Sequence, residues 1–134
     1  MRRSLIIICA TVTVASASLI DHASAHHSFA AQFDRDKRVI LTGTVTEMRW
    51  ANPHAWIYMD VEDADGNVVN WALETRAANN LIRLGWRPAD LPAGATLVVD
   101  AFQARNGTPT ASVETVTFAD GRSLFVGSPE ASAP

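Results

Sequence analysis

The sequence predicts a mainly β domain: a small five- to six-stranded OB-like barrel with one short helix between strands three and four. Three observations carry this. Alternating apolar and polar residues, rich in β-branched side chains, recur in runs from Val39 to Val126, which is the two-residue period of half-buried strands. The pairs Asp65-Gly66, Asn106-Gly107 and Asp120-Gly121 punctuate those runs, and each is a hairpin signal because glycine supplies the positive φ such turns need. Helical spacing appears clearly once, from Ala77 to Leu84, after the third run. Three strands, a helix and two more strands is the element order of the OB barrel.

The chain opens with Met1-Arg2-Arg3, an apolar to weakly polar run from Leu5 to Ile20, and Ala23-Ser24-Ala25. A positive start, an apolar middle and small residues before a cut after Ala25 predict a signal peptide over residues 1–25 and a periplasmic or secreted location. Thr11, Thr13, Ser16 and Ser18 dilute the run too much for a good membrane span. Ile8 stands before Cys9 where a lipoprotein boundary wants a small residue, so no membrane anchor is expected after cleavage. Removing residues 1–25 takes Arg2, Arg3 and Asp21 from 11 basic and 14 acidic residues, which leaves 9 and 13 and a net charge of −4. A negative mature chain argues against nucleic acid as a partner. It also lacks cysteine, so neither a disulfide nor a thiolate is available.

The mature chain divides into an N-terminal arm (26–37), one barrel domain (38–127) and a tail (128–134) expected to be disordered. In the arm, Phe29 and Phe33 are spaced by four, as in a helical turn or an extended arm laid on the barrel. Strand one runs from Arg38 with Val39, Leu41, Gly43 and Val45 on one face; the apolar phase then slips to Met48 and Trp50. That slip predicts a bulge near Thr46-Glu47, and Gly43 permits a bend, so one long strand can belong to two sheets. The corner Trp50-Ala51-Asn52-Pro53-His54-Ala55-Trp56 follows. Strand two then carries Ala55, Ile57, Met59 and Val61 inward and Trp56, Tyr58, Asp60 and Glu62 outward. Strand three, Val68 to Glu74, puts Val69, Trp71 and Leu73 on one face. Thr75 is expected to cap the helix, with Ala77, Leu81 and Leu84 buried, Gly85 ending it and Trp86 closing its apolar contact. Pro88 to Gly94 is a surface turn. Thr96 to Gln103, Ala111 to Phe118 and Leu124 to Val126 complete the strands.

The chemistry centres on histidine. A cut after Ala25 makes His26 the first residue, so its α-amine and ring Nδ1 can chelate one metal ion, and both offer lone pairs close to neutral pH. Nitrogen ligands in a square arrangement suit Cu(II), and His27 and His54 are the other imidazoles of the mature chain. His26, His27 and His54 are therefore the candidate metal ligands and copper the candidate cofactor. The alternative is an exposed arm that binds nothing, with His54 bonded to a turn carbonyl or to Asn52. A tetrahedral zinc site is disfavoured by the lack of cysteine.

The second candidate site is aromatic. Asn52, Trp56 and Tyr58 lie at the corner or on the outward face of strand two and could stack and hydrogen-bond a peptide, glycan or protein partner without metal. Trp50 and Trp71 read as core and Trp86 as a lid over the helix. Catalysis finds little support. Asp60, Glu62, Asp63 and Asp65 read as a solvated hairpin end, with weak Ca²⁺ binding as the lesser alternative. Ser28 beside His27 has no oxyanion element. The expected function is thus an exported binding protein, either copper-type or a metal-free interaction module.

Ala25-His26-His27-Ser28-Phe29, Leu41-Thr42-Gly43-Thr44-Val45, Asn52-Pro53-His54-Ala55-Trp56, Asp63-Ala64-Asp65-Gly66 and Asp120-Gly121-Arg122-Ser123-Leu124-Phe125 together resemble a family of small exported bacterial proteins classed as a domain of unknown function. The resemblance spans nearly the whole mature chain and implies export. It brings no activity with it.

Overall fold

The computed structural model describes residues 29–127; the signal-peptide segment, His26, His27 and the tail expected to be disordered lie outside the described residues. The elements are α1 (Phe29–Gln32), β1 (Phe33–Arg49), β2 (Trp56–Glu62), β3 (Val68–Glu74), α2 (Ala78–Arg83), β4 (Thr96–Ala104), β5 (Thr110–Phe118) and β6 (Ser123–Phe125). A 3-10 turn spans Pro88–Asp90. The strands form one six-stranded sheet in the order β3-β2-β1-β4-β5-β6, and an added β3–β5 pairing closes five of them into a barrel-like ring. That closure is parallel and short, matching Ala72, Leu73 and Glu74 to Thr110, Ala111 and Ser112. The architecture is the OB-like one the element order predicts.

The first strand makes the ring possible. β1 pairs with β4 from Phe33 to Thr44 and with β2 from Gly43 to Arg49. The two ladders overlap at Gly43 and Thr44, and Gly43 stands opposite both Val61 and Leu97. A Cβ there would collide with the Asp60 carbonyl oxygen, so only glycine lets the backbones approach. The register of β1 against β2 shifts between Val45 and Glu47, which is the bulge predicted from the apolar phase. β1 begins at Phe33, earlier than the Arg38 start expected. Phe33 pairs with Ala104 across a register irregularity, because its ring is recruited to a small second core.

The main core lies inside the ring. Val45, Ile57, Met59, Leu73, Leu97, Val99, Val113 and Val116 are essentially inaccessible; β1 to β4 follow strand alternation, and in β5 the inward phase passes from Val113 to Val116 across a register irregularity opposite Asp100 and Ala101. Trp50 and Trp71 are partly buried and pack against it. Each such aliphatic chain contributes about 1.5–3 kcal/mol by leaving water. Trp86 is fully buried, and its Nε1–H has no acceptor among the described residues. Burial of 150–250 Å² of ring is worth about 4–6 kcal/mol, against about 1–3 kcal/mol for the lost hydrogen bond, so the ring stays inside. A second cluster, Phe29, Phe33 and Ala104 with Phe102 against it, holds α1 to the barrel.

Two local expectations need correction. Thr75 does not cap α2, whose N-terminal flank is Ala77 with no side-chain cap. The Thr75 hydroxyl instead donates to the carbonyls of Ala55 and Arg76, because it is buried between the corner and the helix and must satisfy its polar atom there. The helix also buries Ala78 and Leu81 and leaves Leu84 45% exposed. It starts one residue later and ends one residue earlier than the spacing suggests, so Leu84 falls at its C-terminal flank, outside the helix. Gly85, at φ 97°, ends it as expected, and the Trp86 amide donates to the Leu81 carbonyl.

Candidate functional site

The β1–β2 corner is held from below by α2 and the end of β3. Ala55 donates to the Arg76 carbonyl and accepts from the Thr75 amide, and Ala78 donates to the Ala51 carbonyl. The Asn52–Pro53 bond is cis. Above this support Asn52 and Pro53 are exposed, and His54 is half-buried. The sequence thus places a polar loop on a fixed base.

His54 is held at one ring nitrogen. Its Nδ1 lies 3.0 Å from Glu74 Oε1 and 3.2 Å from the Thr75 carbonyl oxygen. Both partners only accept, so Nδ1 carries the proton and donates to them. No hydrogen bond from a described residue reaches Nε2. In the neutral ring Nε2 therefore keeps its lone pair, and a carboxylate behind Nδ1–H makes that nitrogen a better donor toward an electrophile. The carbonyl bond is the one the metal-free alternative allowed; the carboxylate is an addition. In the sequence Glu74 reads only as the end of a strand.

A signal for it exists. The β2–β3 partners are symmetric about Asp65, from Glu62 opposite Val68 to Trp56 opposite Glu74. Locating the hairpin at Asp65-Gly66 therefore fixes Glu74 beside Trp56, next to the corner.

Two adjoining cavities open on this surface. One, of 460 Å³, is lined by Gln32, Arg49, Ala51, Asn52, Pro53, His54, Trp56 and Glu74. The other, of 320 Å³, shares Gln32, Trp56 and Glu74 and extends along the β4–β5 loop to Arg105, Asn106, Thr108 and Thr110. Sharing these three residues, they run together as one groove between the β1–β2 and β4–β5 loops. Asn52, His54 and Trp56 line it. Tyr58 does not; its hydroxyl accepts from Arg49 Nη1 at 3.2 Å, and the guanidinium sits 5.0 Å from its ring centroid, so it steadies a lining residue instead. Among the described residues no three His, Cys, Asp or Glu side chains come together as a metal site.

The arm reaches the same place. Phe29 meets Phe33 with ring centroids 5.4 Å apart and Phe102 edge-on at 5.7 Å. Arg105 donates through Nε to the Ala30 carbonyl and through its amide to that of Gln32. These contacts fix α1 beside the groove and put Gln32 in its wall. The acidic hairpin lies elsewhere and is committed to its turn: Asp63 accepts from the amides of Asp65 and Asn67, and the Asn67 amide foremost holds its carboxyl below the usual 3.8.

Fold and groove together define an OB-like β-barrel with a solvent-open, mixed-polarity groove and one oriented histidine in its wall. The chain belongs to a family of unknown function, DUF6152, whose match covers residues 13–113. No curated protein and no solved structure matches it.

Proposed function

We propose that this is an exported, periplasmic binding protein in whose groove His54 and the processed N-terminus hold a Cu(II)-type ion. The observation that carries the reading is the clamped Nδ1 of His54, which leaves Nε2 as the ligand atom with a carboxylate behind it. The docked α1 adds to it. Two residues lie between His26 and Phe29, three chain steps that span at most about 10 Å, and Gln32 of the same helix already lines the groove with His54. The His26 amine and ring, with His54 or His27, would supply a nitrogen-rich set of the kind Cu(II) prefers.

The test begins with the intact mass of the exported protein, which should show His26 as the first residue. Copper titration followed by EPR should then give a nitrogen-rich spectrum that His54→Ala alters. A mature start elsewhere, or a spectrum indifferent to His54→Ala, removes the reading.

A further inference from the structure

We infer that the groove also binds a neutral carbohydrate, with one sugar ring laid on Trp56 and its hydroxyls met by the amides around it. The inference does not rest on the metal reading; it rests on what the groove offers and withholds.

The backbone is not on offer. Trp56 is paired with both Arg49 and Glu74, Glu74 with both Trp56 and Ser112, and Thr110 with Ala72. A peptide cannot add itself as a strand at this place, so recognition falls to side chains. The cations are already matched. Arg49 is bonded to Glu47 and Tyr58, and Arg105 to the Ala30 carbonyl with Asp34 3.8 Å away. With a chain charge of −3, little positive field is left for a phosphate or a nucleic acid. Nor does the groove suit an apolar ligand, since Gln32, Asn52, Asn106, Thr108 and Thr110 rim it.

What remains is the half-buried Trp56, which lines both lobes, with the amide side chains of Gln32, Asn52 and Asn106 in the same walls. The side chains of Gln32 and Asn52 make no hydrogen bond to a described residue. A pyranose ring matches that arrangement: its C–H face covers the indole, while its equatorial hydroxyls act as both donors and acceptors toward amides. Two adjoining lobes of 460 and 320 Å³ suit a short oligomer with rings on either side of Trp56.

Tryptophan fluorescence titration of the exported protein with maltotriose, cellotriose and chitotriose, in EDTA so that copper plays no part, tests this. At least one should saturate in the range of about 0.1–10 mM. Trp56→Ala should weaken it at least about 10-fold and Trp56→Phe less, because a ring face remains. Should Trp56→Ala fold poorly, Gln32→Ala and Asn52→Ala, both at exposed positions, should each weaken binding about 2- to 10-fold at an unchanged melting temperature. No saturation by about 10 mM, full binding by Trp56→Ala, or binding confined to phosphorylated sugars or peptides overturns the inference. Failure here leaves the copper experiment standing, and the reverse also holds.

Discussion

Glu74 shows what a single residue contributes to the site. Its carboxylate is largely buried and lies 3.0 Å from one ring nitrogen of His54, so its effect should appear in the histidine. Glu74→Gln should lower copper affinity about 10- to 100-fold, and ¹⁵N NMR of the apo protein should show the His54 proton redistributed between its two nitrogens. An unchanged tautomer would detach Glu74 from the site. Gly43 acts at the same scale on stability. Gly43→Ala forces a methyl group against the Asp60 carbonyl, an overpacking cost of about 3 kcal/mol that should lower the melting temperature by at least 10 °C or so. The need for Gly43 was legible from its place in a β-branched run. Glu74 was harder to see, because a polar residue ending a strand looks like any solvated strand end until the register is drawn.

Among the elements, the strands follow the written pattern closely, and the departures occur where tertiary contacts override local signals. α2 starts later than its spacing suggests because Thr75 bonds to Ala55 rather than to the helix. β1 starts earlier because Phe33 finds Phe29 and Ala104, a cluster whose Phe102 lies some seventy residues away and so leaves no local trace. That cluster makes α1 a separable unit. In Phe29→Ala the anchor of the arm is cut while the main core, which Phe29 does not join, is untouched. Copper affinity should fall at least about 10-fold, with the far-UV circular dichroism of the barrel and the buried emission of Trp86 preserved. Equal loss of barrel signal and copper binding would show that arm and barrel are one cooperative unit.

For the whole molecule, acid should act through turns. Asp63 is held below 3.8 chiefly by the Asn67 amide and Asp120 chiefly by the Arg122 side chain. A depressed carboxyl stabilises the fold above its unfolded value and loses that contribution as pH falls through its folded one. The melting temperature should therefore owe these turns nothing new between pH 7 and about 4 and should drop below that. Asp63→Ala should lower it at pH 7 and narrow the gap to wild type near pH 2.5. Ring order was legible only in outline: element order implied a barrel, but the parallel match of Ala72–Glu74 to Thr110–Ser112 joins segments with no sequence signal for each other. That match is three residues long, the shortest ladder in the ring alongside which a ligand would sit. Trp56 and Glu74 stand on one side of it and Thr110 on the other, so an occupant of the groove works as a clasp on a loosely buttoned cylinder. Its arrival would be felt as slower hydrogen exchange at that fastening.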